Sequence, residues 1–386
     1  MLNISLISLF SRLEEIPALL KLKLGSINNY KNNNSETLTS ENLRYCFNTL
    51  NKVSRSFASV IKQLPNELMI NVCLFYLILR ALDSIEDDMN LPKNFKINLL
   101  REFLNKNYEP GWSISGVGDK KEYVELLENY DKVIQAFLAI DHKNQLIITD
   151  ICRKMGAGMA HFVEAEIDTV EDYNLYCHHV AGLVGIGLSK MFLASGLENC
   201  DYLNQEEISS SMGLFLQKTN IVRDYKEDME ENRVFWPTEI WRAYAPKFSD
   251  FSINPQHERS ISCLNHMVND ALGHVIDCLE YLRHLRNENI FKFCAIPQVM
   301  AMATLCKVYN NPDVFIKSVK IRKGLAAKLI LNTTSMDEVI KVYKGLLLDI
   351  ENKIPLNNPT SDETLRLIKN IRSYCNNETL LVSKTA

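Results

Sequence analysis

Turn-forming residues are scarce in this chain: 14 glycines and 11 prolines stand among 386 residues, well under the roughly 12% of an average protein. That shortage argues against a turn-rich sheet protein and favours long helices. Basic charge is not in excess either. The 43 Lys and Arg against 47 Asp and Glu leave a net charge of −4, and no local basic patch stands out, which sets nucleic acid aside as a partner. The ten cysteines include no CxxC pair, and no secretory pre-sequence precedes them. They read as reduced, mostly buried thiols of a protein facing the cytosol. No apolar run reaches the ~18–20 residues that a membrane span needs; the nearest, LMINVCLFYLILRAL, is broken by Asn71 and Arg80. Strand–turn–helix alternation and fixed-period repeats are also missing. The glycines of GLVGIGLS lack the spacing of a nucleotide loop, so Gly182, Gly185 and Gly187 read as points of close helix packing.

What is present is helical periodicity. Leu214, Phe215, Ile221 and Val222, and again Val268, Ala271, Leu272 and Val275, recur at three- and four-residue spacing. Polar breaks fall at 26–40, 105–121, 235–255, 309–313 and 354–362. The expected architecture is all-α: one large helical bundle with its site in a central cavity. Residues 1–40 read as an N-terminal helix and polar linker, 41–352 as the helical domain, and 353–386 as a C-terminal segment without a membrane anchor.

The apolar stretch FYLILRALDSIEDDM runs into clustered carboxylates. Asp83 and Asp87 share a helix face, with Glu86 beside them and Arg80 one turn before. About 140 residues later Asp224 and Asp228 repeat the pattern with Glu227 between them and Arg223 adjacent, while Gln217 and Asn220 extend that face backwards. Either stripe alone could be a solvated surface. Two matched stripes, the first preceded by so apolar a run, point instead to a hard divalent cation such as Mg²⁺. Such a cation takes one or two carboxylates and completes its shell with phosphate oxygens. Adjacent arginines suit the same diphosphate.

These strings resemble the squalene/phytoene synthase family, and within it the squalene synthases. The resemblance rests on VSRSFASVI (53–61), YLILRALDSIEDDM (76–89), YCHHVAGLVGIGLSKMF (176–192), FLQKTNIVRDYKED (215–228), RVFWP (233–237), FKFCAIPQVMA (291–301) and VKIRKG (319–324), in the family's order. It implies an isoprenoid synthase fold. It also implies a reaction that joins two farnesyl diphosphates through presqualene diphosphate and then reduces the product with NADPH to squalene.

By resemblance, Asp83, Glu86, Asp87, Asp224, Glu227 and Asp228 hold Mg²⁺. Arg55, Arg80, Arg223, Gln217, Asn220 and Phe57 bind substrate, Arg55 from a flap near the phosphates. Tyr176 matches the tyrosine given the proton transfer of cyclopropane closure, with Tyr76 a second candidate. Phe293 lines the pocket of the second half-reaction, where an aromatic face can stabilise a carbocation. Gln298 belongs to the same stretch and is expected with the NADPH contacts. Lys320, Arg322 and Lys323 are expected at the NADPH phosphates, since no Rossmann unit is available. His179 departs from the aromatic expected in the YCH motif. The resemblance further implies a monomer at the cytosolic face of the endoplasmic reticulum membrane; the family's carboxy-terminal anchor is missing, which leaves open a truncated sequence, a soluble enzyme or peripheral membrane contact. A phytoene- or dehydrosqualene-type synthase without the reductive step, and a silent helical protein that binds prenyl diphosphates, are the alternatives.

Overall fold

Short polar side chains start many of the helices. Ser40 accepts from the Leu43 amide and Asp141 from that of Asn144, while Thr169 and Asp172 form a reciprocal capping box. Each satisfies amides that a helix start otherwise leaves unpaired. The computed structural model describes residues 40–199 and 201–385, with the side chains of 55–56, 201–202 and 378–385 outside that description. The N-terminal helix expected before residue 40 lies outside it too.

The described chain is about 73% helical and has no strand among the described residues. In order, Glu41–Val53, Arg55–Ile61, Asn66–Asp87, Lys93–Lys106, Lys121–Glu128, Tyr130–Leu138 and His142–Phe162 lead to Val170–Cys177. That helix continues through a π turn, His178–Gly182, into Leu183–Ala194. Glu206–Arg223, Tyr225–Glu230, the short Thr238–Trp241 and Asp250–Ile253, Glu258–Leu272, Val275–Arg283 and Glu288–Val308 follow. Lys323–Leu331, Met336–Glu351 and Ser361–Thr385 close the chain. Two of these short helices fall inside the 235–255 stretch that reads as a break in sequence. Ile368, Ile371 and Cys375 of the last long helix are buried, so packing continues past residue 352.

The helix Glu206–Arg223 is the hub, contacting Val170–Ala194, Glu258–Leu272, Val275–Arg283 and Glu288–Val308. Glycine permits its closest crossing. A Cβ on Gly185 would lie 2.1 Å from the Ser209 carbonyl oxygen, and one on Gly213 would lie 2.1 Å from that of Ala181. No backbone can yield by that much, so both positions need glycine for space. His179 fills the room left by Gly158, whose added Cβ would meet the imidazole at 2.1 Å. On the hub's other face the buried Lys218 ammonium pairs with Asp270 at 2.7 Å and lies 5.2 Å from the centre of the Tyr173 ring. This pairing fixes the rotation that leaves Gln217, Asn220 and Asp224 on the opposite side.

Nine cysteines are described, all of them buried and none in a disulfide among the described residues. Three helical spans, Asn66–Asp87, Val170–Ala194 and Glu288–Val308, are long and apolar enough to cross a membrane, but the first and third are 78% buried and the second 44% buried within the protein. In the first and third, most of that apolar surface serves the core.

Candidate active site

The first acidic helix, Asn66–Asp87, buries Val72 through Phe75 and Leu77 through Leu79, then brings Asp83, Glu86 and Asp87 to half-buried positions in its last turns. Burial, reinforced by Asp87, pushes the Asp83 carboxyl up to about 7 although Arg80 opposes it. Glu86 is pushed to about 8 by burial and by Asp87 and Asp83. Arg80 reaches Asp83 at 3.5 Å and lies over the rings of Tyr76 and Tyr123 at 5.8 and 5.3 Å.

The second stripe is not the unbroken helix its sequence suggests. Glu206–Arg223 ends at Asp224 (φ −94°, ψ 15°) and Tyr225–Glu230 begins beyond it. Tyr225 causes the bend: its ring is drawn into a cluster with Trp236, Phe248, Phe251 and Phe315. Two backbone bonds hold the register, Asp224 N–H to Asn220 C=O at 2.8 Å and Asp228 N–H to Asp224 C=O at 2.9 Å. Arg223 pairs with Asp224 through Nε at 2.7 Å. Burial pushes Asp228 up to about 7, with Arg233 opposing and Asp224 adding. Among its neighbours, Glu227 has one carboxylate oxygen, Oε2, buried without a partner.

Arg233 joins the two stripes, a role the sequence reading did not give it. Asn232 adopts a left-handed backbone (φ 56°) and turns the chain sharply, after which the Arg233 amide donates to the Asp228 carbonyl at 2.8 Å. The guanidinium then donates to Asp87 at 2.7 Å and to Asp228 at 3.1 Å, and pairs with Glu231 at 2.7 Å. One cation therefore spans carboxylates 141 positions apart in sequence. The RVFWP string was visible as part of the resemblance, but only contact geometry identifies its arginine as the bridge. Removing a partner from such a network strands partly buried charge. Arg233→Met is expected to lower unfolding free energy by about 3 kcal/mol in metal-free buffer, read by denaturant titration.

Tyr176 is buried, stacked on Phe235 at 5.0 Å and edge-on to Phe162 at 5.2 Å. Burial, followed by the nearby Glu86 and Asp87 charges, raises its phenol well above the ordinary value. In this state it is a neutral phenol and not a ready base.

Next to the stripes lies an apolar cavity of about 160 Å³ whose lining includes Phe57, Val184, Gln217, Phe293 and Gln298. The Phe57 ring lies 5.7 Å from that of Tyr76, tilted by 37°, which ties the cavity to the Arg80 side of the site. Gln298, expected among the NADPH contacts, lines this cavity with Phe293, and its amide donates to the Met212 carbonyl at 3.0 Å. Lys320, Arg322 and Lys323 are exposed, and Lys320 comes within 3.9 Å of Glu227. The Arg55 side chain lies outside the described residues.

A family model described as squalene/phytoene synthase matches residues 50–324. The chain belongs to the squalene/phytoene synthase family. Within it, the chain is 48% identical to squalene synthase LSS of Botryococcus braunii over 86% of its length and 73% of that protein's. It is 46% identical to squalene synthase 1 of Arabidopsis thaliana, over 88% and 83% respectively. A solved complex of TcSQS with the ligand BPH1237 superposes with a TM-score of 0.85 at 42% identity, covering 88% of this chain and 99% of that one. Like its relatives in the squalene/phytoene synthase family, this protein is a transferase.

Proposed function

We propose that the protein is a squalene synthase that condenses two farnesyl diphosphates to presqualene diphosphate and reduces this to squalene. One observation carries the reading: two carboxylate stripes, bridged by a single guanidinium, stand beside an apolar cavity able to take a prenyl chain.

The donor set suits Mg²⁺. It is made of hard carboxylate oxygens, one of them buried and unpartnered, and the Asp83, Glu86 and Asp228 carboxyls, raised first by burial and then by neighbouring carboxylates, would gain from a bound cation. Among the described residues no three acidic, histidine or cysteine side chains close around one point. An ion here would draw further ligands from diphosphate and water, as Mg²⁺ commonly does. Bound Mg²⁺ would neutralise charge building on the departing diphosphate. Asp83, Glu86 and Asp87 would hold it from one side and Asp224, Glu227 and Asp228 from the other. Arg80 and Arg223 would meet phosphate oxygens, Arg80 held in place by Tyr76 and Tyr123. Phe293 and Phe57 would shield the allylic chain from water.

NADPH would supply the hydride of the second half-reaction. Lys320, Arg322 and Lys323, exposed beside Glu227, are suited to its phosphates. Replacing both Lys320 and Arg322 by alanine is therefore expected to slow reduction more than condensation, so that presqualene diphosphate accumulates. Equal loss in both halves would move these residues to the shared diphosphate site. Action at the endoplasmic reticulum membrane follows the same resemblance.

Incubation of purified protein with farnesyl diphosphate, Mg²⁺ and NADPH tests the whole reading. Squalene is expected, and presqualene diphosphate when NADPH is left out. A dehydrosqualene-type hydrocarbon formed without NADPH would place the chain on the non-reducing branch.

A further inference from the structure

A second cavity, of about 500 Å³, takes Glu86, Tyr176 and Arg233 into its lining and shares no lining residue with the apolar one. It is walled by the end of the first acidic helix, the start of Lys93–Lys106, the segment 162–168 and the stretch 232–242. Its charged lining makes it a poor host for a prenyl chain, since burying apolar surface there would also desolvate Lys96, Glu166 and Asp168.

The donors on its inner wall are underused. Lys96 is only 6% exposed, and its ammonium donates to a single oxygen, the Glu86 carbonyl at 2.6 Å. An ammonium has three N–H groups, so two remain. The Tyr176 hydroxyl has no hydrogen bond among the described residues, while the Arg233 guanidinium, also in the lining, is held by Asp87, Asp228 and Glu231. Lys93 and Arg242 add cations at the rim, while Glu166 and Asp168 supply carboxylates. Unspent donors facing carboxylates suit an oxygen-rich anion that carries its own divalent cation.

Resting on the squalene synthase reading, we propose that this cavity is the release site for inorganic diphosphate, received as its Mg²⁺ complex from the carboxylate stripes by way of Glu86 and Arg233, which belong to both. The reaction itself creates the need. Each half-reaction frees one diphosphate, and the first is freed while presqualene diphosphate still fills the prenyl side. A separate exit lets the inorganic product leave without passing the retained intermediate.

Calorimetric titration of the full chain with inorganic diphosphate and Mg²⁺ tests this, compared with Lys96→Met and Arg242→Gln. Wild type is expected to show two sites. Lys96→Met should weaken one by about tenfold or more, the usual cost of losing a charge-assisted hydrogen bond. Arg242→Gln, on the exposed rim and harmless to folding, should weaken the same site more modestly. In steady state, diphosphate inhibition should relax in both variants while KM for farnesyl diphosphate stays within about twofold. One site in wild type, unaffected by either substitution, would overturn the proposal. So would a KM that rises in parallel with the inhibition constant, since the residues would then serve the substrate. The titration needs no turnover, so a protein that binds two diphosphates yet makes no hydrocarbon would disprove the squalene synthase reading and leave the second anion site standing.

Discussion

Asp83→Asn and Asp224→Asn should each leave the helical fold intact and cut condensation by roughly 10³-fold, the several kcal/mol that a metal ion contributes at a leaving group. The amide keeps the volume of the carboxyl but removes the anionic oxygen. Both residues are half-buried, so solvent can accommodate the change without a cavity. Asp83 loses only its 3.5 Å pair with Arg80, and Asp224 its pair with Arg223. The variants should therefore melt near wild type by circular dichroism while product formation from farnesyl diphosphate collapses. Raising Mg²⁺ should recover part of the rate, because a weakened site still fills by mass action. Near-wild-type turnover in either variant would remove the two-stripe metal model.

For Tyr176→Phe the expectation is slower presqualene diphosphate formation by about 10²–10⁴-fold, the range for a lost acid–base group, with farnesyl diphosphate binding preserved. The ring stays stacked on Phe235 and edge-on to Phe162, so its packing survives. Only the hydroxyl goes, and no described protein group depends on it. Since burial and two neighbouring carboxylates keep the phenol protonated, it would position the proton or pass it on more readily than it would abstract one. Single-turnover formation without NADPH isolates this step. An unchanged rate would make Tyr176 a packing residue and leave the departing diphosphate as the proton acceptor.

The fold class and both carboxylate stripes were legible because they are local: four-residue spacing on a helix and an apolar run leading into it. The bend at Asp224 was not, since it depends on Tyr225 meeting Phe315 and Trp236, residues that only tertiary packing gathers. Arg233 escaped for a related reason. Its meaning lies in Asp87, 146 positions away, and in the left-handed Asn232 that aims it. Gln298 and Phe293, five positions apart in one matching string, line the same cavity because one helix carries both inward.

The π turn at His178–Gly182 sets the phase between two halves of one long helix. Tyr176 precedes it and faces the carboxylate side; Val184 and Gly185 follow it and face the prenyl side. A helix advances about 100° per residue, so deleting one residue from this turn would restore regular winding at the expense of a quarter-turn or more between the two faces. Either the phenol or the apolar wall would then point away from the substrate. A single extra residue thus acts as a clutch between the charged and the greasy half of the site, and the chain could lose it without losing any named functional side chain.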